Sequence, residues 1–340
     1  MRLRYTESEL LREHDYAAPQ IVAGHRLHGG FDAAGGYISP RTALRAEAVE
    51  HWTAGLRGRG GELFEADASL LAGVRVPNTA QQKLLLQEGL GRSFWNTLTI
   101  TGVIEARGRF LVDAPIPDFQ QVIVEDISET ALGHLHVGLM KAHGLDEGGL
   151  PEQGIGGHDV MWFALRDLAF GETDHPQPEI PAAITRPDAG EPMPEIARPQ
   201  ARMLSFLMNL LMIEFRAEIG FQATEELLRD PELFPSRRAQ AQQAAEIVER
   251  IRQDEGIHVA SLRLMLGEAR ELTFRTLDGG TIPGRTLIDP FWEGLVDWAT
   301  VEQPRLVAER NRDALARSIL ELPDGQRILR DFDALASPSR

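Results

Sequence analysis

Two long segments with the periodicity of amphipathic helices, 201–229 and 238–274, are separated only by the short sequence DPELFPSR at 230–237. The prolines in this sequence cannot continue a helix and therefore predict a turn. Two helices joined by so short a turn must run antiparallel and pack side by side. This part of the chain is therefore restricted to a helical hairpin.

A second hairpin is predicted earlier in the chain. Apolar residues recur at helical spacing over 81–110, which predicts a helix. The sequence LVDAPIPDF at 111–119 contains two prolines and predicts a turn, and we expect a second helix over 120–143. A short helix at 158–170 should follow the glycine-rich loop at 144–157.

The two hairpins are separated by a stretch that cannot be regular. Seven prolines lie within 176–199, which predicts a long crossover between the hairpins. One or two further helices are expected in 275–340. We therefore expect a mainly α protein built on a four-helix bundle with a long crossover between its second and third helices.

Carboxylates are expected to meet across both hairpins. In an antiparallel hairpin, residues equally far from the turn lie side by side. The position midway between Glu214 and Glu255 falls inside the 230–237 turn, and that between Glu105 and Glu129 falls inside the 111–119 turn. Three of these residues, Glu105, Glu214 and Glu255, also lie on the apolar stripes of their helices.

Buried carboxylates need a counter-charge. Burying an unpaired charge costs several kcal/mol or more, so four glutamates at one level of a bundle would repel strongly. Two divalent cations would relieve that repulsion. His258, three residues after Glu255, adds an imidazole on the same helix face. Oxygen-rich sites with an imidazole for each metal suit iron or manganese better than zinc.

The sequence Asp254-Glu255-Gly256-Ile257-His258, together with Glu214 and the first hairpin, resembles the ferritin-like di-iron carboxylate superfamily over residues 82–273. The superfamily pattern is Glu on the first helix, Glu-x-x-His on the second, Glu on the third and Glu-x-x-His on the fourth. The resemblance implies two iron ions, with manganese as the other candidate. It implies that Glu105, Glu129, Glu214, Glu255 and His258 are ligands and that Asp254 accepts a hydrogen bond from a ligating imidazole.

The second helix departs from the pattern, because Leu132 stands where Glu-x-x-His would place the histidine. His134 reaches the Glu129 face only through a π-bulge, which the neighbouring Gly133 would permit, and we expect it to be the ligand. His136 returns to that face but lies roughly 10 Å farther along the axis, and is the second choice. Two further candidate ligands lie one turn from predicted ones: Glu125 and Glu218.

By resemblance, the protein is expected to be an O₂-dependent oxygenase or oxidase that hydroxylates, N-oxygenates or desaturates a small organic substrate. Its partners would then be that substrate, O₂ and an external electron donor. We expect a single domain, 1–340, in which the crossover at 144–200 belongs to the bundle. The flanks, 1–80 and 275–340, would cover the bundle, shape a substrate pocket and offer a surface for a homodimer.

Composition excludes several other classes. A formal net charge of −16 argues against a nucleic-acid partner, because phosphate binding needs a basic surface. The chain has no cysteine, which excludes disulfides, thiolate ligands and a cysteine nucleophile. The N-terminal sequence lacks the apolar region of a signal peptide, and no apolar run could span a bilayer. We expect a soluble, cytoplasmic protein.

Two other interpretations stay open. A Glu-x-x-His motif arises about once by chance in a chain of this composition, and Glu172 and His175 form a second copy in the proline-rich region. The chain could therefore be a metal-free helical binding or scaffold protein that has lost the ligands of the superfamily. It could also use the same ligand types in a di-manganese or other di-metal enzyme that is not an oxygenase.

Overall fold

A computed structural model describes residues 3–16, 19–71, 75–187 and 192–336. The protein is mainly helical, as predicted. The α-helices, in chain order, are α1 (Glu7–Leu10), α2 (Arg45–Gly58), α3 (Thr79–Gln87), α4 (Arg92–Gly108), α5 (Met140–Gly148), α6 (His158–Phe170), α7 (Arg198–Arg229), α8 (Arg238–Glu271), α9 (Gly284–Asp297), α10 (Gln303–Leu320) and α11 (Gly325–Ala334).

Helices α7 and α8 form the predicted hairpin and pack along their length. The turn between them is closed by Arg238, whose guanidinium donates hydrogen bonds to the carbonyl oxygens of Leu228, Asp230 and Leu233. Leu228 is in the last turn of α7, where carbonyl oxygens lack an N–H partner from the helix, so a basic side chain satisfies the end of the helix. The apolar stretch at the start of α7 lies in the core. No helix in the described part of the chain combines the length and apolarity needed to cross a bilayer.

Helices α4 and α6 form a second packed pair, and α6 also packs against α8. The approach of α4 to α6 is close at Gly102, where a Cβ atom would lie 2.7 Å from the Phe163 ring. The short α5 approaches the end of α4 equally closely. A Cβ atom on Gly108 would lie 2.5 Å from Cγ of Glu147. Glycine at these positions lets the helices approach closely enough to bring their polar side chains together.

The predicted helix over 120–143 is wrong. The segment contains short 3₁₀ turns at Phe119–Gln121 and Leu132–His134, then a π-type turn at Leu135–Leu139, and regular helix begins only at Met140. The backbone bends at Gly138, whose φ is 111°. The carboxylate of Glu268, on α8, accepts hydrogen bonds from the backbone N–H groups of Ala131 and Leu132. A distant side chain thus binds backbone groups that a helix would have used.

Short strands tie the flanks to the helices. They are β1 (Ile21–Val22), β2 (His25–Leu27), β3 (Gly30–Phe31), β4 (Tyr37–Ile38), β5 (Ile155–Gly156), β6 (Thr273–Arg275) and β7 (Thr281–Pro283). Strand β2 pairs with β1 on one side and, in parallel, with β5 on the other, and Leu27 lies opposite Gly156. The N-terminal flank therefore contacts the chain directly before α6.

Candidate metal centre

Four glutamates from four helices converge in the interior. Glu105 is in the last two turns of α4, Glu147 is at the end of α5, and Glu214 and Glu255 are near the middle of α7 and α8. Their side chains are between 5% and 11% exposed. Such a concentration of acidic groups inside a protein needs a compensating charge.

Three histidines complete two groups of possible ligands. One group contains His143, Glu147, Glu214 and His258, and the other contains Glu105, Glu147, His158 and Glu255. Within each group the candidate ligand atoms lie within 4.8 Å of one another. Because Glu147 belongs to both groups, its carboxylate is placed to bridge two cations.

In the first group, two imidazoles face the same carboxylates. Nε2 of His143 lies 3.2 Å from Oε1 of Glu214 and 3.5 Å from Oε1 of Glu147. Nδ1 of His258 lies 3.4 Å from that Glu147 oxygen and 2.8 Å from Oε2 of Glu255. Glu255 therefore also reaches this group and is a second bridging candidate.

In the second group, Nδ1 of His158 faces three carboxylates. It lies 3.0 Å from Oε1 of Glu255, 3.7 Å from Oε1 of Glu147 and 3.9 Å from Oε2 of Glu105. Although it is buried, this nitrogen makes no hydrogen bond within the described part of the chain. A buried nitrogen directed at carboxylates without a hydrogen bond suits a ligand of a cation.

Two of the imidazoles direct one ring nitrogen at the candidate centre and the other at an aspartate. Nε2 of His258 lies 3.1 Å from Oδ2 of Asp146, and Nε2 of His158 lies 3.3 Å from Oδ2 of Asp254. Asp146 directly precedes Glu147 on α5 and contacts His258 of α8. Asp254 directly precedes Glu255 on α8 and contacts His158 of α6. Hydrogen bonds of this kind fix the tautomer and the orientation of ligating imidazoles.

Both aspartates are themselves anchored by the N-terminal flank. Asp146 accepts from Arg41 and Arg45, each at 2.6 Å. Asp254 accepts from Oγ of Ser39 at 2.5 Å and from the Tyr37 hydroxyl at 2.9 Å. Nε2 of His28 also lies 3.1 Å from Asp254. His28, His158 and Asp254 thus form a hydrogen-bonded cluster behind the centre.

The protonation of the carboxylates is uneven. Burial, and then the charges of Glu147 and Glu255, raise the pKa of Glu105 well above its usual range. Burial and the charge of Glu255 raise the pKa of Glu214 to about 8. Burial and Glu147 oppose the ionisation of Glu255, but His258 and His158 outweigh them and hold its pKa at about 2. Burial opposes the ionisation of Glu147, but hydrogen bonds from Glu105, His143 and His158 outweigh burial and hold the pKa of Glu147 well below its usual range. Glu105 and Glu214 thus keep a proton more readily than Glu147 and Glu255 do.

The carboxylates raise the pKa values of the neighbouring imidazoles. Burial lowers the pKa of His258, but Glu255 and Asp146 outweigh burial and raise it to about 10. The pKa of His158 is also raised, because Glu255 and Asp254 outweigh its burial. Protons on these rings supply the positive charge that bound cations would replace. Four carboxylates and three imidazoles fit two iron or manganese ions, and zinc less well.

The structure brings Glu105, Glu214, Glu255 and His258 together, and both Glu214 and Glu255 lie close to His258. Asp254 lies within hydrogen-bond distance of an imidazole, that of His158 on α6.

The three other predicted glutamates lie away from the centre. The Glu129 side chain is 55% exposed and pairs with Arg4. Glu125 is exposed and accepts a hydrogen bond from the backbone N–H of Thr273, and Glu218 is also exposed. The expectation that Glu129 lies level with Glu105 is wrong, because the chain over 120–139 is not the regular helix that the midpoint argument assumed.

The two candidate histidines of that segment are not brought to the centre either. His134 is buried, but its Nδ1 lies 2.7 Å from the carbonyl oxygen of Thr130 and its Nε2 accepts from the N–H of Tyr5. Both nitrogens are therefore used within the fold. His136 is exposed on the π-type turn.

Sequence reasoning missed Glu147, His143 and His158. A signal was present, because Asp146-Glu147 repeats the dipeptide Asp254-Glu255, and His143 lies one helical turn before Glu147. The glycines around them indicated a loop, whereas α5 extends through Gly144 and Gly148. The chain then turns back to α6 through Gly149 and Gly157, whose backbones touch: a Cβ atom on Gly157 would lie 2.4 Å from the Gly149 nitrogen.

In comparisons with protein-family models, with curated proteins and with solved structures, no match to this chain was found.

Proposed function

We propose that this protein is a non-haem di-iron oxygenase or oxidase that uses O₂ to oxidise a small organic substrate. The observation that carries the proposal is the pair of buried ligand groups that share Glu147. The Asp-Glu dipeptides, the His258 motif and the convergence of α4, α5, α7 and α8 support a ferritin-like arrangement. Two outer aspartates in matching positions support a site with two metals more than a site with one.

In this proposal the residues have distinct roles. Glu105 and His158 would bind one ion, and Glu214, His143 and His258 would bind the other, with Glu147 and Glu255 shared between them. A bound pair of iron ions would supply the redox chemistry with which O₂ oxidises an organic molecule. The surrounding chain orients the imidazoles through Asp146 and Asp254. Burial of the centre excludes bulk water, which strengthens electrostatic interactions inside it.

Metal analysis and O₂ uptake test the proposal. The protein, loaded with Fe(II) without air, should hold about two iron ions per chain and consume O₂ when air is admitted. Glu147→Gln should lose most of the iron, because it removes the ligand common to both groups. Glu129→Gln is the matched control, since Glu129 is an exposed glutamate outside the centre, and it should retain wild-type iron and O₂ uptake.

Two results would contradict the proposal. Negligible iron in the wild-type protein, equal to that in Glu147→Gln, would favour a metal-free helical scaffold. Full occupancy by manganese in the presence of equal iron, with no O₂ uptake by the iron form, would favour a di-manganese enzyme.

A further inference from the structure

An apolar groove lies at the end of α4, beside the start of α7. Its volume is about 480 Å³. That is within the range of small-molecule sites, which are mostly apolar with a few polar groups that fix orientation. Its lining includes Phe110, Leu111, Pro117, Met203 and Phe206.

The groove is adjacent to the candidate metal centre through Leu111. This side chain lines the groove but is only 3% exposed. On its other side it touches α5, where a Cβ atom on Gly144 would lie 2.9 Å from Cβ of Leu111. Gly144 lies between His143 and Glu147, two of the candidate ligands. A single layer of side chains thus separates the groove from the ligand-bearing turn of α5.

One positive charge distinguishes the groove. Arg202 is the only charged residue among the described residues that line it. Its guanidinium carries five N–H donors and can serve a bound carboxylate in addition to groups of the protein. An apolar wall with one cation complements an apolar molecule that carries one carboxylate.

We infer that this groove binds an apolar carboxylic acid, with its carboxylate at Arg202 and its apolar part against Leu111. The binding does not depend on the proposed metal centre, from which a layer of side chains separates the groove. Phe110 and Phe206 meet edge to face with ring centroids 5.9 Å apart, and Phe110 is 57% exposed. Phe110 is therefore accessible to a ligand that enters from solvent.

Calorimetric titration of the full-length, metal-free protein tests the binding. Decanoate serves as the aliphatic probe and 4-phenylbenzoate as the aromatic one. Met203→Trp should fill the groove and weaken binding of the better probe at least tenfold. Leu306→Trp, at an exposed position on α10, is the matched control and should bind like wild type. Binding of neither probe, or equal binding by both variants, would overturn the inference.

A second comparison tests whether the ligand must carry a negative charge. Arg202→Gln should weaken decanoate binding about tenfold and leave decanol binding unchanged. Equal affinity of the wild-type protein for decanoate and decanol would overturn the assignment to a carboxylic acid. Iron content of the same proteins separates the two proposals. Iron without probe binding overturns the groove alone, and probe binding without iron overturns the metal centre.

Discussion

The imidazole of His143 lies flat against that of His258, with ring centroids 3.8 Å apart and planes inclined by 12°. Burial and His258 lower the pKa of His143, but Glu147 and Glu214 outweigh them and raise it. Two protonated rings in this arrangement repel each other. Loss of ring protons on binding a cation would relieve that repulsion, so His143 and His258 favour occupation of the Glu214 side.

His143→Gln should therefore weaken metal binding on the Glu214 side at least tenfold and leave the other position occupied. The amide fills much of the imidazole volume, so the fold should be retained. Titration with Fe(II) under anaerobic conditions should show one tight and one weak site where the wild type has two tight sites. Two unchanged tight sites would show that His143 is not a ligand.

Asp254→Asn should lower metal affinity by roughly 10- to 100-fold, because the amide cannot hold His158 as the carboxylate does. Asp254 also accepts from Tyr37. Tyr37→Phe removes one of its donors and leaves the bond to His158, so its metal affinity should stay within about threefold of wild type. Equal losses in the two variants would indicate general loosening of the cluster. Competition with a chromophoric chelator measures both affinities.

Glu268 should make stability depend on pH. Burial raises the pKa of its carboxyl to about 7, against 4.5 for an ordinary glutamate, although hydrogen bonds from Leu132 and Ala131 oppose the shift. Between these values the unfolded chain ionises before the folded one, so folding stability falls as pH rises, by roughly 3 kcal/mol in total. Glu268→Gln should lack this loss.

Urea unfolding at pH 5 and pH 8 measures the effect of Glu268. The free energy of unfolding of Glu268→Gln, relative to wild type, should increase by roughly 2.5 kcal/mol from the lower to the higher pH, because part of the loss has already occurred at pH 5. A constant difference between the two proteins would show that the carboxyl titrates at an ordinary pKa.

Substitution by alanine should have opposite effects on stability at two glycines. Gly256 is exposed within α8, and a Cβ atom there would meet no other atom within 4 Å. Gly256→Ala should stabilise the protein by about 0.5–1 kcal/mol, because glycine is a poor helix former. At Gly284 a Cβ atom would lie 1.7 Å from the carbonyl oxygen of Ala269, so Gly284→Ala should destabilise by roughly 2 kcal/mol or more. Thermal unfolding of both variants checks the signs.

The α7–α8 hairpin and the meeting of Glu214 with Glu255 could be predicted because both helices are regular up to a short turn. Each residue's height is then determined by its distance along the chain from the turn. The same argument placed Glu129 wrongly because it assumed a helix over 120–143. That segment is held by long-range contacts, such as the hydrogen bonds from Ala131 and Leu132 to Glu268, which local sequence patterns do not reveal.

The contribution of α5 to the centre was hidden by a different effect. Glycines near Glu147 indicate a flexible loop when they are read locally. In the structure they are positions of close approach: a Cβ atom on Gly148 would lie 2.5 Å from Cβ of Arg109. A glycine-rich helix packed against another helix cannot be distinguished from a loop by composition alone. The repeated Asp-Glu dipeptide was the more reliable signal.

The pairing of β2 with β5 has a consequence for how the centre forms. His28 follows β2 directly and reaches Asp254, 226 residues later in the chain. Contacts between such distant residues form slowly, because a long loop must close before they stabilise the fold. During synthesis, His28 leaves the ribosome long before its partner exists. The cluster of His28, His158 and Asp254 behind the candidate centre is therefore completed only after α8 has been made.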